Sequence, residues 1–323
     1  MKRNGLLVIA LSLFCGLLSV SSRAQAQTAG SDGAQTSAAA TANSDIFVRA
    51  LYRHMPVLRY DTSEDFFPVR VESITNNVGN KLLRANGATL AERERGGRGL
   101  NIGYLRGISK HTYPNGDAIL ESDKLDERGN DVDEYVRDAR QFQSSRVYGD
   151  RIYGRVVRLR DREGRTTGAW LQYWFFYYYN NFPGQVVDTG DHEGDWEMIQ
   201  VKVNAQGKPV SAVYAHHKSA SRCAWEGLRK SGSRPIVFVA RGSHASYSRT
   251  GQHGQDFFND GEQRRSVRRL IRVGTNSPQW LNWPGKWGSS GSSPQGPKFQ
   301  GDKWSDPEAF FAGADADDEC RAP

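Results

Sequence analysis

Ten consecutive residues, Trp170 to Tyr179, read WLQYWFFYYY. In an extended chain successive side chains point to opposite faces. Trp170, Trp174, Phe176 and Tyr178 then line one face, and Leu171, Tyr173, Phe175, Tyr177 and Tyr179 line the other. Neither face can be left in water, so the segment predicts a central strand covered on both sides. It is the second arm of a long hairpin whose first arm is Arg151 to Arg160, with the turn Asp161-Arg162-Glu163-Gly164 between them. Further strands follow at 196–203 and 209–214 around the turn Asn204-Ala205-Gln206-Gly207, and the apolar run 236–240 reads as a short buried strand.

Helical signals are few. Asp131 stands before a run in which Val132, Tyr135, Val136, Ala139 and Phe142 share one helical face, with Glu134 in the capping-box position. A short helix starting near Ser44 would turn Phe47, Ala50 and Leu51 inward, and a third is expected over 261–273, where Val267, Leu270 and Ile271 alternate with five arginines. Residues 274–307 are rich in Gly, Ser, Pro and Trp and have no period, which predicts an irregular segment pinned by its tryptophans. The expected fold is mainly β: one domain over residues 45–323, a two-sheet β-sandwich with a few peripheral helices and this long irregular C-terminal part.

Ahead of that domain, Lys2 and Arg3, the apolar run Leu6 to Val20 and Ala24-Gln25-Ala26 read as a secretory signal peptide over residues 1–26. Residues 27–44, rich in Ala, Ser, Thr and Gln, read as a disordered spacer. The 43 basic residues lose three with the leader, and against 36 acidic ones the mature charge is +4. That balance gives no reason to expect a nucleic-acid partner. Cys223 and Cys320 remain, and in an oxidising, secreted setting they most simply form one disulfide, two separate thiols being the alternative.

The chemistry is concentrated in Asp191-His192-Glu193-Gly194-Asp195-Trp196-Glu197. If the strand that follows is extended through this stretch, Asp195 and Glu197 share a face with Ile199, Val201 and Val203, so two carboxylates continue an apolar stripe. Buried and alone, each would cost several kcal/mol or take up a proton. An arginine or a divalent cation is the expected answer. Mg²⁺ or Ca²⁺ suits an oxygen cluster, and the histidine leaves room for Mn²⁺ or Zn²⁺. In a uniform strand His192 would face away from Asp195, so a shared site requires the chain to turn over at Gly194. The expected metal set is Asp191, His192, Asp195 and Glu197; His216 and His217, leaving one strand, and Arg241 and His244, leaving another, are the expected ligand-binding residues.

PVLRYD (56–61), FFPV (66–69), LQYWFFYYYNN (171–181), HEGDWE (192–197), VARGSHASY (239–247) and SSPQGPKFQGDKW (292–304) together resemble the vacuolar protein sorting-associated 62 family of bacteria, fungi and plants. That family is similar in turn to the necrosis- and ethylene-inducing-like toxins, secreted β-sandwich proteins. Their heptapeptide GHRHDWE helps hold a divalent cation used in engaging sphingolipid head groups. The resemblance implies that His192, Asp195 and Glu197 correspond to the cation-binding histidine, aspartate and glutamate, with Asp188 or Asp191 as the upstream aspartate. Glu193 and Gly194 replace the arginine and second histidine of the heptapeptide, and this chain has a longer N-terminal region.

These readings lead to a secreted, divalent-cation-dependent recognition protein that binds polar lipid head groups or glycans and is membrane-active if the likeness to the toxins extends that far. A metal-dependent extracellular hydrolase acting on phosphoesters or glycans is the alternative, since no GxSxG elbow, HExxH helix or phosphate-cradling loop is present. A third reading keeps the acidic cluster structural, as a solvated turn or paired with Arg241. The arginines of RRSVRRLIR (264–272) are expected on a solvent-facing helix surface, or at a phosphate or membrane surface. The tryptophans of WPGKWG (283–288) are expected to pack rather than stack on sugars.

Overall fold

The aromatic strand extends from Thr166 to Asn180 (β6), and every side chain from Gly168 to Asn180 is buried. In the computed structural model, which describes residues 45–84, 86–106, 118–121, 132–182, 191–253, 256–265, 267, 269–289, 292–316 and 320, β6 lies inside a seven-stranded sheet. The order of that sheet is β16 (Arg269–Arg272), β5 (Arg151–Arg160), β6, β7 (His192–Asn204), β8 (Pro209–His216), β9 (Ser219–Ala224) and β17 (Asp315–Ala316). Strands β5 to β9 run antiparallel to their neighbours, whereas β16 pairs with β5, and β17 with β9, in parallel.

A second sheet has the order β10 (Lys230–Ser231), β11 (Arg234–Val239), β1 (Val57–Tyr60) and β15 (Gln263–Arg265), with β12 (Ser246–Tyr247) also on β11. Its Leu58, Tyr60, Val237 and Val239 meet Tyr173, Phe175, Tyr177, Ile199 and Val201 of the large sheet in one core. The fold is thus mainly β with two packed sheets, as the alternation of the aromatic strand implies. Each fully buried aromatic of this core contributes roughly 1.5–3 kcal/mol of transfer free energy.

The opposite face of the large sheet carries a second core. Trp174, Phe176, Tyr178, Trp196 and Met198 are covered there by Trp280, Trp283, Trp287 and Trp304 of the C-terminal segment, by α2 (Glu72–Asn76) and by α3 (Val132–Ser144). A small sheet of β2 (Lys81–Arg84), β3 (Thr89–Glu92) and β4 (Ala118–Glu121), which the sequence did not announce, joins this layer through Leu82 and Leu120. Trp283 and Trp287 have no exposed surface, so they pack and have no face for a sugar. Polar side chains fasten the C-terminal segment to this face: Arg155 donates to the Trp304 carbonyl at 2.7 Å, Gln172 to that of Lys303 at 2.5 Å and Gln200 to that of Pro307 at 3.0 Å. They fix α4 (Asp302–Ser305) and α5 (Pro307–Gly313).

The N-terminal helix α1 (Ile46–Arg53) forms as expected, with Asp45 accepting from the Phe47 amide at 3.0 Å and Phe47, Ala50 and Leu51 buried. In α3, Tyr135, Ala139 and Phe142 are buried, while its expected cap Asp131 lies outside the described residues. So do the leader and the spacer. The helix expected over 261–273 is not one: the segment supplies β15, which pairs with β1, and β16, which pairs with β5. Backbone pairing with two existing strands, and Leu270 buried between exposed Arg269 and Arg272, outweighed a spacing that fits either period. The remaining hairpin is β13 (Gly251–His253) with β14 (Asp256–Asn259). Cys223 and Cys320 are joined in a disulfide with Cα atoms 5.6 Å apart, and both lie in the core between the two sheets. No helix among the described residues is long and apolar enough to cross a membrane.

Candidate functional site

Strand β7 begins at His192, so the acidic heptapeptide is itself strand. Its register against β6 sets Glu197 opposite Phe175, Asp195 opposite Tyr177 and Glu193 opposite Tyr179. Uniform alternation would put all three carboxylates on the side of the second sheet. Gly194, however, has φ +60°, a left-handed conformation that a residue with a side chain adopts only under strain. A Cβ there would also lie 2.2 Å from the Trp287 carbonyl oxygen.

Past that point the faces change over. Glu193 is turned to the tryptophan side, where the Tyr135 hydroxyl donates to its Oε1 at 3.1 Å and the Ser289 amide to its Oε2 at 3.3 Å. Tyr179 goes with it and stacks on Tyr135, ring centroids 4.0 Å apart. The charge of Asp195 acts on the His192 imidazole, whose Nδ1 lies 3.1 Å from the Glu193 carbonyl. Burial is the largest influence on His192 and pushes its pKa down, with Asp195 opposing.

Among the described residues the side chain that meets Asp195 is His244, not an arginine. Its Nδ1 donates to Asp195 Oδ2 at 2.9 Å, and its ring lies flat on Tyr177, centroids 3.8 Å apart and planes 3° from parallel. His244 has no exposed surface and a left-handed backbone, φ +55°. Such strain persists only where surrounding contacts over-determine it. Here the loop 240–245 closes on itself, with Ala240 N donating to the Ala245 carbonyl at 2.9 Å and His244 N to that of Ala240 at 3.0 Å. Glu64 anchors the loop from β1's side: its Oε2 accepts from Gly242 N at 2.8 Å, and its Oε1 from Phe66 N at 2.8 Å and Asp65 N at 3.1 Å.

Glu64 Oε1 stands 3.6 Å from His244 Nε2, too far for a hydrogen bond, so it acts on the ring as a charge and Nε2 has no hydrogen-bond partner. Burial works to lower the pKa of His244, but Asp195 and Glu64 outweigh it and raise the imidazole to about 9. At neutral pH His244 is a buried imidazolium between two carboxylates.

Glu197 is the exception in the cluster. It is 5% exposed, and its Oε2 has no hydrogen-bond partner. Burial raises its pKa to about 8, opposed by Lys303 and reinforced by Asp195. Lys303, itself buried, donates to the His217 carbonyl at 2.7 Å. Burial thus favours the protonated form of Glu197. Among the described residues no three His, Cys, Asp or Glu side chains are already arranged around a metal-ion position.

The other expected residues lie at the margin. Asp191 is half-buried ahead of β7 and its Oδ1 accepts from Phe182 N at 2.6 Å. His216, at the end of β8, meets Ser221 Oγ at 3.1 Å and stacks on Tyr247, centroids 5.1 Å apart. His217 is exposed, and its charge lowers the pKa of Glu197. Arg241 is half-buried, and its carbonyl accepts from Ser243 N at 2.9 Å. Three contributors escaped the sequence reading as site residues: Glu64, Tyr177 and Lys303. Each sits in or beside a segment that carries the family resemblance, the one signal that pointed at them.

No protein-family profile matches the chain. It is 28% identical over 106 residues to vacuolar protein sorting-associated protein 62 of Saccharomyces cerevisiae, an alignment taking in 27% of this chain and 22% of that protein. TDA6 of the same yeast is 30% identical over 110 residues, 27% of this chain and 23% of the relative. The chain thus spans less than a quarter of the length of the curated relatives it matches. Among solved structures, one described as "Toxin fold for microbial attack and plant defense" superposes over 84% of this chain and 91% of its own, with a TM-score of 0.42 and 11% identity. "NLPPya in complex with mannosamine" covers the same shares at 0.41 and 11%. The chain is similar to both groups that its motifs resemble.

Proposed function

We propose that this is a secreted recognition protein in which Asp195, Glu197 and His192 hold a divalent cation that presents an oxygen-rich ligand, a glycan or polar lipid head group, at the outer end of β7. The observation that supports it is Glu197: a buried carboxyl beside Asp195 whose Oε2 has no hydrogen bond, an arrangement that ordinary structural carboxylates avoid. The donors fit such an ion in kind, two carboxylates and an imidazole on either side of the left-handed Gly194. A divalent cation would supply a fixed positive charge to which hydroxyl or phosphoryl oxygens bind. To take part, Asp195 exchanges its bond to His244 and Glu197 gives up its proton.

Elemental analysis of the purified protein, with an Asp195→Ala/Glu197→Ala control, tests this reading. One equivalent of a divalent metal in the wild type and none in the control is expected, followed by glycan or lipid binding that a chelator abolishes without any turnover. Metal-free wild type that binds no added cation overturns it. A second reading keeps the cluster structural, and the 2.9 Å bond between His244 and Asp195 favours it. In that case added Ca²⁺ or Mg²⁺ leaves the melting midpoint unchanged, since only an ion that binds the folded form can raise it.

A further inference from the structure

The arginines of the 264–272 stretch do not form a helix surface. In β16 the order Arg269, Leu270, Ile271, Arg272 places Leu270 in the core, close over Gly154, where a Cβ would come within 2.6 Å of it, and leaves both arginines exposed. Parallel pairing holds the strand: Val273 N donates to the Gly154 carbonyl at 2.9 Å. β16 is the edge of the large sheet. Against that edge lies an open cavity of about 630 Å³ that five arginines line: Arg70, Arg146, Arg151, Arg269 and Arg272.

The charges are organised differently from a solvated surface patch. Arg151 is buried, and its guanidinium is fixed by donating to the carbonyls of Gly149, at 2.7 Å, and Arg146. Arg70 is held by Glu72 at 2.5 and 3.1 Å. The side chains of Arg146, Arg269 and Arg272 make no hydrogen bond or ion pair among the described residues. Like charges converging on one concavity repel, and a fold keeps them there at a cost unless an anion offsets them. The remaining wall is apolar, Met55, Leu270 and Ile271, with Tyr52 and Val147 about half exposed at 48% and 54% on the rim.

We infer that this cavity is a binding site for a compact polyphosphate, a polyol carrying two or more phosphate groups, free or as the head of a lipid. Guanidinium forks match phosphate oxygens in pairs, several of them suit several phosphates, and the volume lies within the roughly 300–1,000 Å³ of small-ligand sites. The site is independent of the acidic cluster on β7, since it uses none of its residues.

Titration calorimetry of the full chain with inositol hexakisphosphate and with inorganic phosphate tests it, beside flotation with phosphatidylcholine vesicles that contain or lack a phosphorylated phosphatidylinositol. The hexakisphosphate is expected to bind with a strong salt dependence and inorganic phosphate at least about tenfold more weakly. Arg269→Gln/Arg272→Gln, exposed positions whose exchange leaves the melting midpoint in place, is expected to weaken hexakisphosphate binding by about tenfold or more. Vesicle binding lost in the same variant assigns the lipid as source, and soluble binding alone assigns the free polyol. No binding to any probe, an unaltered double variant, or an equal loss in the distant control Arg95→Gln/Arg98→Gln overturns the inference.

Discussion

Glu193 and Asp195 are two residues apart on one strand, and both are buried, yet the fold settles them by different means. On the tryptophan side Glu193 is satisfied by neutral donors, a tyrosine hydroxyl and a backbone amide. On the sandwich side Asp195 meets a charge, the imidazolium of His244, which Glu64 helps to hold protonated. The donors given to Glu193 are neutral, whereas the imidazolium beside Asp195 makes its arrangement depend on one removable proton. The side with a removable proton, beside a Glu197 whose Oε2 has no hydrogen bond, is where the proposed cation would sit. The tryptophan side is a fixed support.

Removing the partner on the sandwich side should cost most. His244→Ala leaves Asp195 and Glu64 buried without their shared cation and is expected to lower unfolding free energy by about 3–5 kcal/mol, read from denaturant midpoints. If the variant melts with the wild type, the imidazolium is not what holds that side. Next comes the residue that creates the difference between the two faces. Gly194→Ala forces a side chain into a left-handed backbone and against the Trp287 carbonyl, and about 3 kcal/mol of destabilisation is expected from strain and overpacking together. A loss of less than about 1 kcal/mol would mean that β7 can hold its carboxylates without the inversion. On the tryptophan side, Tyr135→Phe removes one neutral donor from Glu193 while keeping the stack on Tyr179, and about 1–2 kcal/mol is expected.

Much of this was legible in the residues themselves. The two-sided aromatic strand required two cores, and both exist on the faces that alternation assigns, except that Tyr179 passes to the tryptophan side with Glu193. The demand that a positive group meet Asp195, and the need for a turnover at Gly194, also followed from period-2 geometry. What sequence did not settle was which positive group it would be: His244 stood among the expected site residues as a ligand-binding one, and Glu64 did not. His244 and Glu64 lie 49 and 131 residues from Asp195 in sequence and reach it only because β1 and β11 pair in parallel, a long-range fact with no local signature. The segment 261–273 misled for a related reason: its Val267, Leu270, Ile271 spacing fits a helix, while the edges of β1 and β5 offered ready-made strand partners. Residues whose role is set within a few positions were readable; of those recruited across the fold, His244 was named without its partner and Glu64 was not named.

The dependence of stability on pH separates the two sides most cleanly. His244 has a folded pKa of about 9 against an ordinary value of 6.5. Its contribution is therefore complete below pH 6.5 and is lost as pH rises through 9. Glu197 is raised to about 8 from 4.5, so between those values the folded chain keeps a proton that the unfolded chain has shed, and stability falls with pH over that window. His192 and His54, lowered chiefly by burial, act in the opposite sense but only below pH 6.5, where the unfolded chain takes up protons that the folded one refuses. From pH 6.5 to 9 the wild type is thus expected to lose stability steadily in chemical denaturation. Glu197→Gln should shallow that decline, and Tyr135→Phe, which removes a donor from Glu193 on the other face, should lower the curve and leave the decline from His244 and Glu197 in place. A wild-type curve that is flat or rises over this range would remove the buried imidazolium. A slope altered by Tyr135→Phe would show that the two sides are coupled through Gly194 and that the contrast between them does not hold.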